Sequence, residues 1–156
     1  MPASMVLNYS CLPFHLLSLN ECYDLMALRQ EVFAVEQNCP YLDADGQDQA
    51  AYHVLGRDTA GRLATYTRLL PPGTAYPDYA AIGRVITADF ARGLGYGRPL
   101  MEISIQYCHE RFGEVGIKLS AQAHLRGYYR SLGFEAYGPY YFEDGIPHIG
   151  MTLKKQ

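Results

Sequence analysis

The chain has 156 residues, 49% of them apolar and 19% charged, with a formal net charge of −3. This length fits one domain over residues 1–156 with room for a substantial core. The mild acidity excludes a general attraction to nucleic acid, and no apolar run is long enough to span a bilayer.

Taken in chain order, Leu7 to Phe14 reads as a first strand, edge-like because of Pro13. Ser18-Leu19-Asn20-Glu21 has the form of a capping box. It opens a helix that carries Leu25, Leu28, Val32 and Val35 on one face. Asn38 to Gln49 is a polar, acidic loop. Tyr52 to Arg57 and Arg62 to Leu70 are two strands joined across Asp58-Thr59-Ala60-Gly61. Pro71 to Tyr79 is a loop and Ala81 to Thr87 a buried strand. A second helix starts near Tyr96, with Pro99 in its first turn and Leu100, Ser104, Cys108 and Phe112 along one side. Ile117 to Ala121 is a short strand, and His124 to Leu132 a helix stopped by Gly133. Phe134 to Phe142 and His148 to Leu153 close the chain as a hairpin across Asp144-Gly145. The order β-α-β-β-β-α-β-α-β-β argues an α/β domain with a mixed sheet.

The N-terminus lacks a basic segment leading into an apolar stretch, so secretion is not indicated. Cys11, Cys22, Cys39 and Cys108 form neither a C-x-x-C pair nor a zinc spacing, and reduced thiols in the cytoplasm fit best. The 14 tyrosines, with 6 phenylalanines and no tryptophan, suit a lined cleft, although core and interface positions account for most of them.

Arg92-Gly93-Leu94-Gly95-Tyr96-Gly97 lies between the buried strand and the second helix. A glycine-rich turn into a helix N-terminus leaves outward N–H groups in positive potential, which is a phosphate site in waiting. Arg92 and Arg98 add charge. The spacing is neither the dinucleotide fingerprint G-x-G-x-x-G nor a P-loop.

Arg92-x-x-Gly95-x-Gly97 after a strand resembles the acyl-CoA signature of the GNAT acetyltransferases. Tyr128-Tyr129-Arg130-Ser131-Leu132-Gly133-Phe134, about thirty residues on, resembles the same family's aromatic-Tyr-x-x-x-Gly-Phe stretch. Val35 to Tyr41, Ser120 to Leu125 and Glu143 to Met151 narrow the resemblance to the ElaA-like branch. The resemblance implies a single GNAT domain with a central mixed, mostly antiparallel sheet flanked by helices, and strands Ala81–Thr87 and Ile117–Ala121 adjacent but splayed at one end. It implies acetyl transfer from acetyl-CoA to a primary amine by direct attack in a ternary complex. Val85, Ile86 and Thr87 would pair with the pantetheine arm and acyl carbonyl. Arg92, Gly93, Leu94, Gly95, Tyr96 and Gly97, with Arg98, would hold the pyrophosphate. Gln122 stands where many relatives carry a cofactor-contacting Asn. Tyr129 would protonate the leaving thiolate. A competing reading is a non-catalytic acyl-CoA-binding or regulatory module that keeps the fold.

Acetyl transfer to an amine needs a held thioester, a base, an oxyanion donor and a proton for sulfur. The base stays open among His53, His124, His148, Glu36 and water. Adjacent residues on a helix point about 100° apart, so at most one of Tyr128 and Tyr129 faces the cleft. No metal is expected, because histidines and acids share no ligand spacing. Asp43-x-Asp45-Gly46-x-Asp48 fails the register of a calcium loop. It reads as a solvated turn or, with Glu143 and Asp144, as an acidic rim for a cationic amine. A small-molecule or peptide amine is the expected partner, without nucleic acid or membrane. Self-association as a homodimer, the identity of the acceptor and the use of other acyl groups stay open.

Overall fold

The structure, a computed structural model, describes residues 6–155. One seven-stranded sheet runs in the order β1-β2-β3-β4-β5-β7-β6. In chain order its elements are β1 (Asn8–Pro13), α1 (Leu19–Gln30), β2 (Tyr52–Arg57), β3 (Leu63–Leu70), β4 (Tyr79–Thr87), α2 (Gly97–Phe112), β5 (Gly116–Gln122), α3 (Arg126–Ser131), β6 (Glu135–Glu143) and β7 (Ile146–Leu153). The β4–β5 pair is parallel and the other pairs are antiparallel. The expected element order and mixed sheet are therefore present. Among the described residues no helix is long and apolar enough to cross a membrane.

Local chemistry sets the element ends. Ser18 Oγ accepts from Glu21 N at 3.0 Å, and Glu21 Oε1 accepts from Ser18 N at 2.9 Å, completing the capping box of α1. Asp58 Oδ1 accepts from the amides of Ala60 and Arg62, which turns β2 into β3. Asp144 and Gly145 take φ of 52° and 77°, the pair of positive values a tight hairpin between β6 and β7 requires.

The sheet is covered on both faces. Leu25 and Leu28 of α1, with Val32 just after its end, pack on Leu55, Tyr66 and Ile86. On the opposite face Leu100, Met101 and Cys108 of α2 and Tyr129 of α3 pack on Val54, Leu69, Ile117 and Leu119. Ser104, in the apolar stripe of α2, shares a 2.7 Å hydrogen bond with Thr67, so its buried hydroxyl is satisfied.

Two details depart from simple periodicity. After Gln30 the first helix widens into a π-helical stretch, Glu31–Glu36. The wider turn rotates the face, so Val35 is 69% exposed instead of joining Leu25, Leu28 and Val32 in the core. The expected helix from His124 to Leu132 begins as a 3-10 turn, Ala123–Leu125, before α3.

Two irregularities in the sheet open a cleft. Tyr66 pairs with Ile86 and Arg68 with Gly83, so Thr67 alone faces Arg84 and Val85, and β4 bulges. Arg84 takes φ of +50° at this bulge. On its other side β4 pairs with β5 only at Tyr79, Ala80 and Ala81; beyond Ala81↔Lys118 the parallel strands separate. The expected splay is where the candidate site forms.

Candidate active site

The glycine turn reaches α2 as the spacing predicts. Gly93 and Gly95 have φ of 77° and 83°, and a Cβ at either would meet nothing within 4 Å. The main chain there is accessible from outside. The 16-residue helix α2 starts without a side-chain cap or an acidic residue in its first turn. Its amides and dipole are therefore available to an anion, and the turn fits the pyrophosphate of an acyl-CoA. Tyr96 is buried at the N-cap position while Leu94 stays half exposed.

The two arginines of this region are already engaged. Arg92 donates from Nε to Thr87 O at 3.0 Å and from Nη2 to Glu36 Oε1 at 2.7 Å. Arg98 donates to Ser131 Oγ at 3.0 Å and so ties the start of α2 to the end of α3.

Where β4 and β5 part, a cleft of about 260 Å³ opens. Its walls are Gly83, Arg84 and Val85 from β4 and Leu119, Ser120 and Gln122 from β5. Phe33, Gln37 and Tyr41 close one side, and Tyr129, Glu143, Asp144 and His148 stand on another. Of the three β4 residues singled out in the sequence, Val85 lines this space. Ile86 is buried opposite Tyr66 in the β3 ladder. Ala88 N donates to Ala64 O, and alternation along β4 then directs the Ile86 backbone to β3 and the Val85 and Thr87 backbone to the gap. Arg92 covers the Thr87 carbonyl.

Tyr129 lies in the cleft wall and Tyr128 does not. Their rings meet edge to face at 5.1 Å. Burial, reinforced by Tyr128, pushes the Tyr129 phenol up to about 12, so it is protonated throughout the neutral range. The Tyr128 hydroxyl is buried without a hydrogen-bond partner among the described residues and sits 3.8 Å from where a Cβ on Gly97 would lie. This neighbouring pair thus spans from the cleft to the glycine turn.

The candidate bases separate in space. His53 is fully buried between the Tyr66 hydroxyl at 2.6 Å and Asp48 O at 3.0 Å, and burial lowers its pKa. His124 is exposed and outside the cleft, and Glu36 is paired with Arg92. His148 lines the cleft, with Nδ1 at 2.7 Å from Ile146 O and Nε2 at 3.3 Å from Glu143 Oε2.

The acidic loop holds what sequence reasoning missed. Asp43 and Asp48 are buried, and all three aspartates, Asp45 included, pair with arginines instead of forming a free acidic rim. Arg29, fully buried, donates from Nε to Asp43 and from Nη1 to Asp48, both at 2.6 Å. Arg68 bonds Asp45 and Asp48, and Arg84 bonds Asp43 at 2.7 Å. Three guanidinium groups balance three carboxylates, which leaves Glu143 and Asp144 as the acidic groups of the cleft. The available signal was Arg29 itself, one turn after Leu25 on the apolar face of α1. A buried arginine needs carboxylate partners.

A bulged central strand that parts from its parallel neighbour beside a glycine-rich helix start defines an acyl-CoA-type acyltransferase fold. Residues 29–155 match the Acetyltransferase (GNAT) domain family, and the chain belongs to it. It is similar to a UPF0039 protein of Synechocystis, 41% identical over 150 residues that cover 96% of this chain and 97% of the relative. Protein ElaA of Escherichia coli is 42% identical over 138 residues, 87% of this chain and 89% of ElaA. The crystal structure of ElaA gives a TM-score of 0.88 and 38% identity, covering 96% of this chain and 100% of that one. The crystal structure of an acyl-CoA N-acyltransferase from Pseudomonas aeruginosa gives a TM-score of 0.89 at 42% identity, covering 94% and 98% of the two chains. The ElaA-like resemblance and the GNAT fold read from the sequence are thereby established, and with them acyl transfer in general.

Proposed function

We propose that the protein transfers the acetyl group of acetyl-CoA to a primary amine of a small molecule or peptide by direct attack in a ternary complex. The observation that carries this reading is the continuity from glycine turn to cleft. Tyr128 reaches toward Gly97, and its neighbour Tyr129 stands in the wall of the gap beside Val85. A phosphate-bearing ligand held at Gly93–Gly97 would send its thioester arm along the unpaired side of β4. The Val85 backbone offers that arm hydrogen bonds, and Gln122 adds an amide at the end of β5.

Direct attack fits the lining. Among the described residues that line the cleft there is no cysteine, and the Ser120 hydroxyl shares its hydrogen bond with Tyr141. The Tyr129 hydroxyl has a proton to give at neutral pH. It is a weak acid, so it stabilises charge on sulfur by hydrogen bonding and yields its proton only as another replaces it.

The experiment is thiol release from acetyl-CoA with a panel of amines, amino acids and lysine-containing peptides. Amine-dependent release with a matching acetylated product supports the reading. Binding of acetyl-CoA without release for any acceptor would make the chain a binding module.

A further inference from the structure

We infer that His148, backed by Glu143, is the base that deprotonates the acceptor, and that the acceptor is a cationic primary amine without a nearby carboxylate. This rests on the acetyl-transfer reading above and specifies its substrate side.

The hydrogen bonds of His148 decide which nitrogen is basic. Ile146 O, 2.7 Å from Nδ1, is a carbonyl and only accepts, so Nδ1 carries a proton. In the neutral ring Nε2 then holds the lone pair. The Glu143 carboxylate, 3.3 Å from Nε2, gains nothing from a bare lone pair but stabilises the imidazolium once a proton arrives. The ring is held in place by stacking on Tyr141 at 6.1 Å, and the Tyr141 hydroxyl is fixed in turn by Ser120. His148 is thus oriented, carries the correct tautomer and has a counter-ion ready for its charged form. Among the described histidines it is the one that lines the cleft.

Charge selects the acceptor. Arg84 is the arginine of the cleft lining, and Asp43 holds it at 2.7 Å with Asp45 at 3.4 Å. Among the described residues no arginine is paired with Glu143 or Asp144. An ammonium approaching His148 meets negative potential, and a carboxylate meets repulsion. The other ionisable groups facing this space are Tyr129 from α3 and Tyr41, phenols that burial pushes up to about 12, so they stay neutral where histidine titrates.

The proton count closes. The ammonium gives one proton to Nε2, forming imidazolium paired with Glu143. The free amine adds to the thioester carbon, so a C–N bond forms, and the C–S bond then breaks. Tyr129 gives its proton to sulfur, and the remaining extra proton on nitrogen replaces it. The products are amide, thiol and one proton, which His148 releases to solvent.

The test is the pH profile of kcat/KM for the full chain with acetyl-CoA and either diaminobutane or glutamate, in the wild type, His148→Gln and Glu143→Gln. The expected wild-type profile has an acid limb and favours diaminobutane by more than about 100-fold, since two like charges disfavour glutamate. His148→Gln should lose about 100-fold at neutral pH, a typical general-base effect, and recover toward alkaline pH as free amine accumulates. Glu143→Gln, on the exposed end of β6, should move the acid limb to lower pH with KM for acetyl-CoA unchanged. A uniform loss at every pH in His148→Gln, or an unmoved limb in Glu143→Gln, overturns the base assignment while the transferase reading stands. Preference for glutamate overturns the substrate class. Absence of turnover with every amine overturns both.

Discussion

Arg92 Nη2 lies 2.7 Å from Glu36 Oε1, so the first charge of the glycine turn is already paired with the end of the π-helical stretch that follows α1. Phosphates arriving at the turn compete with Glu36 for this guanidinium. Glu36→Gln should therefore tighten acetyl-CoA about 3-fold, the scale of an exposed ion pair. Arg92→Ala should weaken it about 10-fold, toward the low end for a charge-assisted hydrogen bond. Titration calorimetry on both variants measures this; equal and unchanged affinities would place the phosphates elsewhere.

Gly95→Val should act twice. The backbone φ of 83° is one that a branched residue resists, which costs ~1–2 kcal/mol of stability even though the free protein has open space at the Cβ position. The side chain then fills the path by which phosphates approach the main chain. Denaturant unfolding measures the first effect and calorimetric titration the second. Full retention of acetyl-CoA binding would refute the assigned phosphate site.

Tyr129→Phe should lower kcat about 100-fold with KM for acetyl-CoA nearly unchanged, because the hydroxyl acts on charge that develops late. Tyr128→Phe removes a buried hydroxyl that has no hydrogen-bond partner among the described residues. It should leave stability equal or slightly raised and kcat unchanged. Steady-state kinetics with an active amine separates the two. Equal losses from both would indicate packing and remove Tyr129 from the chemistry.

Arg29→Met should destabilise the fold by ~3–5 kcal/mol, because Asp43 and Asp48 lose their buried cation. The same network sets acid stability. Burial works to raise the Asp45 carboxyl, but hydrogen bonds from Arg68 and the Gln47 amide outweigh it and hold the group at about 2. Burial likewise opposes ionisation of Asp48, and Arg29 and Arg68 outweigh it to lower its pKa. Depressed carboxyls contribute stability above their unfolded value near ~4 and lose it as pH falls through the folded value. Urea unfolding should show stability falling as pH drops from about 4 toward about 2. Arg68→Met should shift that loss to higher pH.

The element order, the capping box at Ser18, the turn at Asp144-Gly145 and the glycine turn before α2 were all legible in the sequence. Each depends on neighbours within a few residues, where backbone preference and periodicity act directly. The resemblance of Arg92–Gly97 and Tyr128–Phe134 to one family was legible for the same reason. Tertiary structure alone decided the rest. Asp43, Asp45 and Asp48 read as solvent-facing because their arginines come from α1, β3 and β4, as far as 41 residues away in the chain. Val35 left the core because one widened turn changed its direction. Of the candidate bases, His148 reached the cleft because β7 runs beside β5, which pairs it with Gln122. Local sequence specifies which side chains an element carries, while long-range strand pairing and charge balance decide which of them meet.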